Sequence, residues 1–196
     1  NWANKKDYQN YLDRIKSHIN ELYNKKDYDG VTTFIENYTK DLEDVFVSFR
    51  KLLTNPADQF REIAFLGKVA VLFPLIIQAF RKDSSHDKNG YNRFMTKLSK
   101  YAFRVFSLKA KRTNDVDTSL NRIARDFKGN YDVLNNEISD KMLESCPDET
   151  FITKLSETNF YNEHNYQTRI YFLWKYENYK RTSTTPAYNT LGVNTL

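Results

Sequence analysis

The residues of this chain best placed to do chemistry are cations. Arg93, Lys97, Lys100, Arg104 and Lys111 fall in one narrow band of a helix wheel turning about 100° per residue. Positive charges repeated along one rigid rod match the spacing of a phosphate backbone and give affinity with little sequence readout. Positions 88–112 hold 8 basic side chains and no acidic one. The whole chain is at +5, so the remainder carries −3 and the basicity is local. These five residues are therefore the expected DNA contacts. A second use of the same stripe stays open, namely a solvated face paired with carboxylates of a neighbouring helix such as Asp41, Glu43 and Asp44.

Other chemistries find little support. His18, His86 and His164 lie far apart in sequence, and with Cys146 as the single cysteine no zinc-ligand spacing arises. The five glycines are scattered, so no phosphate-cradling loop forms. Glu36, Glu43 and Asp44 are spaced like a solvated helix face. No catalytic residue, metal site or cofactor is assigned. Arg81 and His86 do fit the Arg-x4-His signature of the all-helical HEPN ribonucleases, which implies metal-independent phosphodiester cleavage. That match covers two residues, and His86 stands in the polar run KDSSHDKNG at 82–90, whereas the chemistry needs both side chains held firmly.

The elements that must position these residues read as helices. Only 5 Gly and 4 Pro punctuate 196 residues, fewer than an all-β chain of many turns needs. The most apolar stretch is 62–80 (EIAFLGKVAVLFPLIIQAF), interrupted by Glu62, Lys68 and Gln78. It is expected to be a buried central helix, with Gly67 as a weak point and Pro74 as a kink. A membrane span needs about 20 apolar residues, and Arg61, Lys68, Arg81 and Lys82 hem this segment in to roughly half of that. Apolar residues at spacings of three and four predict helices over 4–23 and 31–53, joined by a polar turn at 25–30 and ended by Asn55-Pro56. Further helices are expected from Tyr91 to about Arg112, over about 118–127 after a loop at 113–117, over 131–146, in a short piece opened by Pro147 and Asp148, and over 166–181. The first of these carries the basic stripe beside an apolar stripe of Phe94, Leu98, Tyr101, Val105 and Leu108. In the last, Tyr171, Phe172, Trp174 and Tyr176 either stack on a base or pack in the core, the commoner fate of aromatics at helical spacing. Arg169 and Glu177 are given a structural role there. The fold class is thus all-α: an irregular multi-helix bundle of about eight helices around a buried central helix, one domain over 1–181 with a loose tail at 182–196. A lone cysteine that cannot form an internal disulfide points to a reducing, cytoplasmic setting. The start at Asn1 suggests a domain cut from a longer protein.

Three segments carry a wider resemblance. RIYFLWKYENY at 169–179, the helix ending in FPLIIQAF at 73–80, and YAFRVFSLKAKR at 101–112 stand in the same order as in the GmrSD-type, modification-dependent restriction proteins. Together they span roughly 62–181. The resemblance implies a helical region between an N-terminal ParB/sulfiredoxin-like nucleotide-dependent module and a C-terminal HNH nuclease. Neither the DGQQR-like nor the EHIxP-like motif of those modules occurs here, so no catalytic residue carries over. What it implies for this chain is a scaffold that holds DNA for flanking nuclease and nucleotide-binding modules, with no membrane partner, no cofactor in this fragment and no active site of its own. The HEPN-like ribonuclease and a pure protein-interaction module remain the alternatives.

Overall fold

The computed structural model describes residues 11–54, 56–82, 88–108 and 113–181, and among them every regular element is helical. The chain groups into two compact units, Asn1–Thr54 and Asn55–Leu196. The dividing point coincides with the Asn55-Pro56 pair that ends the long helix before it.

The first unit is a helical hairpin of α1 (Tyr11–Asn24) and α2 (Tyr28–Thr54). Lys26 takes a positive φ of 57° in the turn, and Asp27 then starts α2 by accepting the Gly30 amide at 2.9 Å. Such a carboxylate satisfies one of the donors left open at a helix start. His18 of α1 meets Phe34 of α2 edge to face at 4.6 Å. The remaining positions of the first expected helix, 4–10, lie outside the described residues.

The second unit begins with α3 (Asp58–Phe65) and α4 (Val69–Arg81). The sequence marks Gly67 as a weak point and Pro74 as a kink, and the structure places the break at Gly67, whose φ of +68° ends α3. That left-handed conformation costs a side-chain-bearing residue about 1–2 kcal/mol and glycine almost nothing. Helix α4 runs on through Pro74, which is exposed and removes only one backbone donor. Leu72, Leu75, Ile76, Ile77 and Ala79 turn inward from it.

Next come α5 (Lys88–Tyr101) and a π-helical segment (Ala102–Ser107), closed by the Leu108 amide bonding the Phe103 carbonyl five residues back. The expected apolar stripe is borne out, with Phe94, Leu98, Tyr101, Val105 and Leu108 all fully buried. Helix α5 packs on α3, α4 and α7 (Tyr131–Ser145), and α4 packs on α6 (Thr113–Asp126). Helix α6 thus includes the 113–117 segment expected as a loop. Gly129 (φ 98°) follows α6, and Asn130 caps α7 by accepting the Asp132 and Val133 amides. Tyr131 reaches across to donate its phenol to the Ala79 carbonyl at 2.9 Å, filling an acceptor left open near the end of α4. Two short helices, α8 (Asp148–Ser156) and α9 (Phe160–Glu163), lead into α10 (Tyr166–Lys180). Helix α9 has no counterpart among the helices expected from periodicity, because its four residues are too few to show a period. The tail at 182–196 lies outside the described residues. No helix among those described is long and apolar enough to cross a membrane.

Candidate nucleic-acid interface

The basic stripe does not stay a stripe. Arg93 is exposed on α5 and lies 3.3 Å from Asp132 of α7. Lys97, one turn on, donates to the Asn135 carbonyl at 3.0 Å and to the Ser139 hydroxyl at 2.7 Å, so it is a tie between α5 and α7. Lys100 is exposed, and no partner for it is found among the described residues. Arg104 sits in the π segment with its side chain only 11% exposed. Its guanidinium donates to the Cys146 carbonyl through Nε at 2.7 Å and through Nη2, and Nη2 also meets Asp148 at 2.7 Å. The same group lies over the Phe151 ring, 4.9 Å from its centre. Arg104 therefore stitches the turn between α7 and α8 to the core. Lys111 lies outside the described residues.

Lys97 is tied by its own bonds to α7, and the physical reason for the departure of Arg104 is the π segment. A wheel drawn at 100° per residue assumes bonds four residues apart, and a turn closed by bonds five residues apart rotates each residue less. Positions beyond Tyr101 consequently swing out of line with Arg93 and Lys100. The partners of the stripe come from α7 and the α7–α8 turn.

Two clefts meet along this edge. A polar one of about 650 Å³ runs between α5 and α7, where Asn89, Asn92, Arg93, Lys100 and Asn136 line it together with the carboxylate of Asp132. An apolar one of about 460 Å³ opens between the π segment, α8 and α10, where Phe103, Met142, Phe172, Tyr176 and Tyr179 face it. Lys100 borders both.

Helix α10 divides its aromatics between the core and an open cleft. Tyr171 is buried and packs 5.0 Å from Phe103, and its phenol donates to Glu62 of α3 at 2.9 Å. Lys175 caps the arrangement, bonding the other Glu62 oxygen at 2.8 Å and lying over the Trp174 ring. Burial, and then the Glu62 carboxylate, push the Tyr171 phenol far above its ordinary pKa. Phe172, Tyr176 and Tyr179 instead point to the apolar cleft. Arg169 has a structural role, donating to the Tyr161 carbonyl at 2.9 Å. The Glu62 cluster was not visible in the sequence, where Glu62 reads only as an interruption of an apolar run.

Of the remaining candidates, His164 is buried against Phe160 at 4.7 Å and Cys146 is a buried free thiol. No group of three or more His, Cys, Asp or Glu able to hold a metal occurs among the described residues. Arg81 ends α4, but His86 lies outside the described residues, so the Arg81–His86 pair has no described geometry. Comparison with protein-family models, with curated proteins and with solved structures finds no match.

Proposed function

We propose that the 55–196 unit is a helical scaffold that grips the phosphate backbone of DNA, serving a restriction or defence endonuclease of GmrSD type and carrying no active site of its own. The observation that supports this is Lys100, an exposed cation left without a described partner on a rigid helix, one side of an open polar cleft that Arg93 also borders. Amide side chains of Asn89, Asn92 and Asn136 add neutral donors for phosphate oxygens along the same cleft. Of the stripe, Arg93 and Lys100 are the contacts, and Lys97 and Arg104 hold the walls.

The test is duplex binding by the full chain across a salt series. Each lost phosphate contact lowers the slope of log affinity against log salt by about 1. Arg93→Ala and Lys100→Ala are each expected to show that drop and to weaken binding alike on all sequences. An unchanged slope in both variants removes this edge from consideration.

A second reading, a protein-interaction module, has its own observation in the first unit. Ile35, Leu42, Phe46 and Leu53 of α2 are all exposed and fall within about 40° of each other on the helix wheel. They are also symmetric about Asp44, so an antiparallel second copy would set Ile35 against Leu53 and Leu42 against Phe46. Sedimentation at rising concentration tests it: a dimer abolished by Phe46→Glu supports the module, and a monomer throughout excludes it.

A further inference from the structure

We infer that the apolar cleft takes one unstacked base of a single-stranded or locally opened nucleic acid, beside the phosphate held by Lys100. This rests on the backbone-binding reading and adds what that reading lacks, a site for the base. The first support is the wall. Phe172, Tyr176 and Tyr179 stand at i, i+4 and i+7 on one face of α10, and that face lines the cleft. Tyr176 is 48% and Tyr179 83% exposed, although Tyr171 and Trp174 of the same helix are drawn into packing. Phe172 packs on Phe103 and Phe160 at the base of this row, Lys180 lies over one face of Tyr176, and the exposed remainder of the two tyrosine rings is a stacking platform for planar π systems.

The second support is charge. Among the described residues no carboxylate lines the cleft; of its three cations Arg104 and Lys175 are engaged by Asp148 and Glu62, and Lys100 stands at the border shared with the polar cleft. An apolar slot with a cation at one end is complementary to a ligand that is planar and apolar at one end and anionic at the other. A nucleotide unit has that form. About 460 Å³ also lies within the range of small-ligand sites, so a base with its sugar is accommodated. Bases inside a duplex have both faces covered by their neighbours, so the occupant must be unstacked. Lys100, which borders both clefts, favours a strand over a fatty acid, which would use the slot and leave the amide-lined cleft empty.

The experiment compares a ten-residue oligothymidylate with a duplex of the same length, by fluorescence anisotropy at low salt on the full chain. Tyr176→Ala is expected to weaken the single strand about 5- to 150-fold, the range for losing one stacked base, and to leave duplex affinity and its salt slope unchanged. Tyr176→Phe keeps the ring and retains wild-type binding. Tyr179→Ala repeats the test at a more exposed position, should the first variant fold poorly by circular dichroism. Wild-type single-strand affinity in both alanine variants overturns the base site and leaves backbone binding standing. Failure of the wild type to bind either nucleic acid overturns both. A fluorescent fatty acid that binds the wild type, loses affinity in Tyr176→Ala and is not displaced by the oligonucleotide assigns the cleft to lipid and overturns the inference.

Discussion

At Glu62 a single carboxylate, almost fully buried, joins α3 to α10 through the Tyr171 phenol and the Lys175 ammonium. Removing it in Glu62→Ala leaves a buried phenol without its acceptor, which costs about 1–3 kcal/mol, and urea unfolding should show that loss without a change in m-value. The Tyr171 phenol gives a pH dependence with a definite sign. Its pKa is raised in the folded chain, while in the unfolded chain it ionises near the ordinary value of about 10. Above that pH the unfolded state holds fewer protons than the folded one, so stability falls as pH rises. The contribution is fully present below pH 10, and the fall above it approaches about 1.4 kcal/mol per pH unit for one group. Unfolding measured from pH 8 to 11 should show this decline in the wild type and a flatter one in Tyr171→Phe. Arg104 makes the second residue-scale prediction. Its planar fork serves the Cys146 carbonyl, Asp148 and the Phe151 ring at once, which an ammonium cannot copy. Arg104→Lys should lower thermal stability by several degrees, an effect a surface phosphate contact would not have. None of these partnerships was legible in the sequence, because Glu62 and Tyr171 are 109 positions apart and Arg104 bonds a backbone carbonyl. The inward face of α5 was legible, because burial of Phe94, Leu98, Tyr101, Val105 and Leu108 needs only a periodic pattern.

At the scale of elements, helix identity followed from periodicity and its departures from local backbone chemistry. Gly67 and Pro74 both looked like breaks in the 62–80 segment, and the left-handed φ at Gly67 decided between them. A Cβ at Gly67 would meet no atom within 4 Å, so Gly67→Ala tests the backbone alone. Its expected cost is about 1–2 kcal/mol, and Pro74→Ala should instead be neutral or stabilising, since it restores a helix donor. Calorimetry on the two variants separates them. The π segment explains why the cation stripe was only partly readable. Its apolar residues are buried as expected, yet the changed rotation per residue turns Arg104 inward and leaves Lys100 at the surface. Nothing in the composition of AFRVFS announces a bond five residues back, and the wheel fails at that one place.

At the scale of the whole molecule, the core of the 55–196 unit is built from its own helices: Phe94, Phe127 and Tyr131 make ring contacts that join α5, α6 and α7, and Tyr131 reaches α4. The described residues of the 1–54 unit form a two-helix hairpin, in which Ser48 and Leu52 are the buried side chains of α2. Isolated helices of this size gain too little from propensity alone, and their stability comes from apolar burial. A chain beginning at residue 56 should therefore fold cooperatively, with the thermal transition and near-ultraviolet signal of a packed core, while 1–54 alone should show only partial, non-cooperative helix. The same division locates function. Arg93, Lys100, Tyr176 and Tyr179 all belong to the larger unit, so the 56–196 chain should bind duplex with the same salt slope as the full chain and the single strand with the same sensitivity to Tyr176→Ala. The seam on α2 belongs to the smaller unit, so self-association should be absent from 56–196. If deleting 1–54 abolished nucleic-acid binding while the core stayed folded, the interface would have to be sought outside the edge of α5, and the assignment of Arg93 and Lys100 would fall with it.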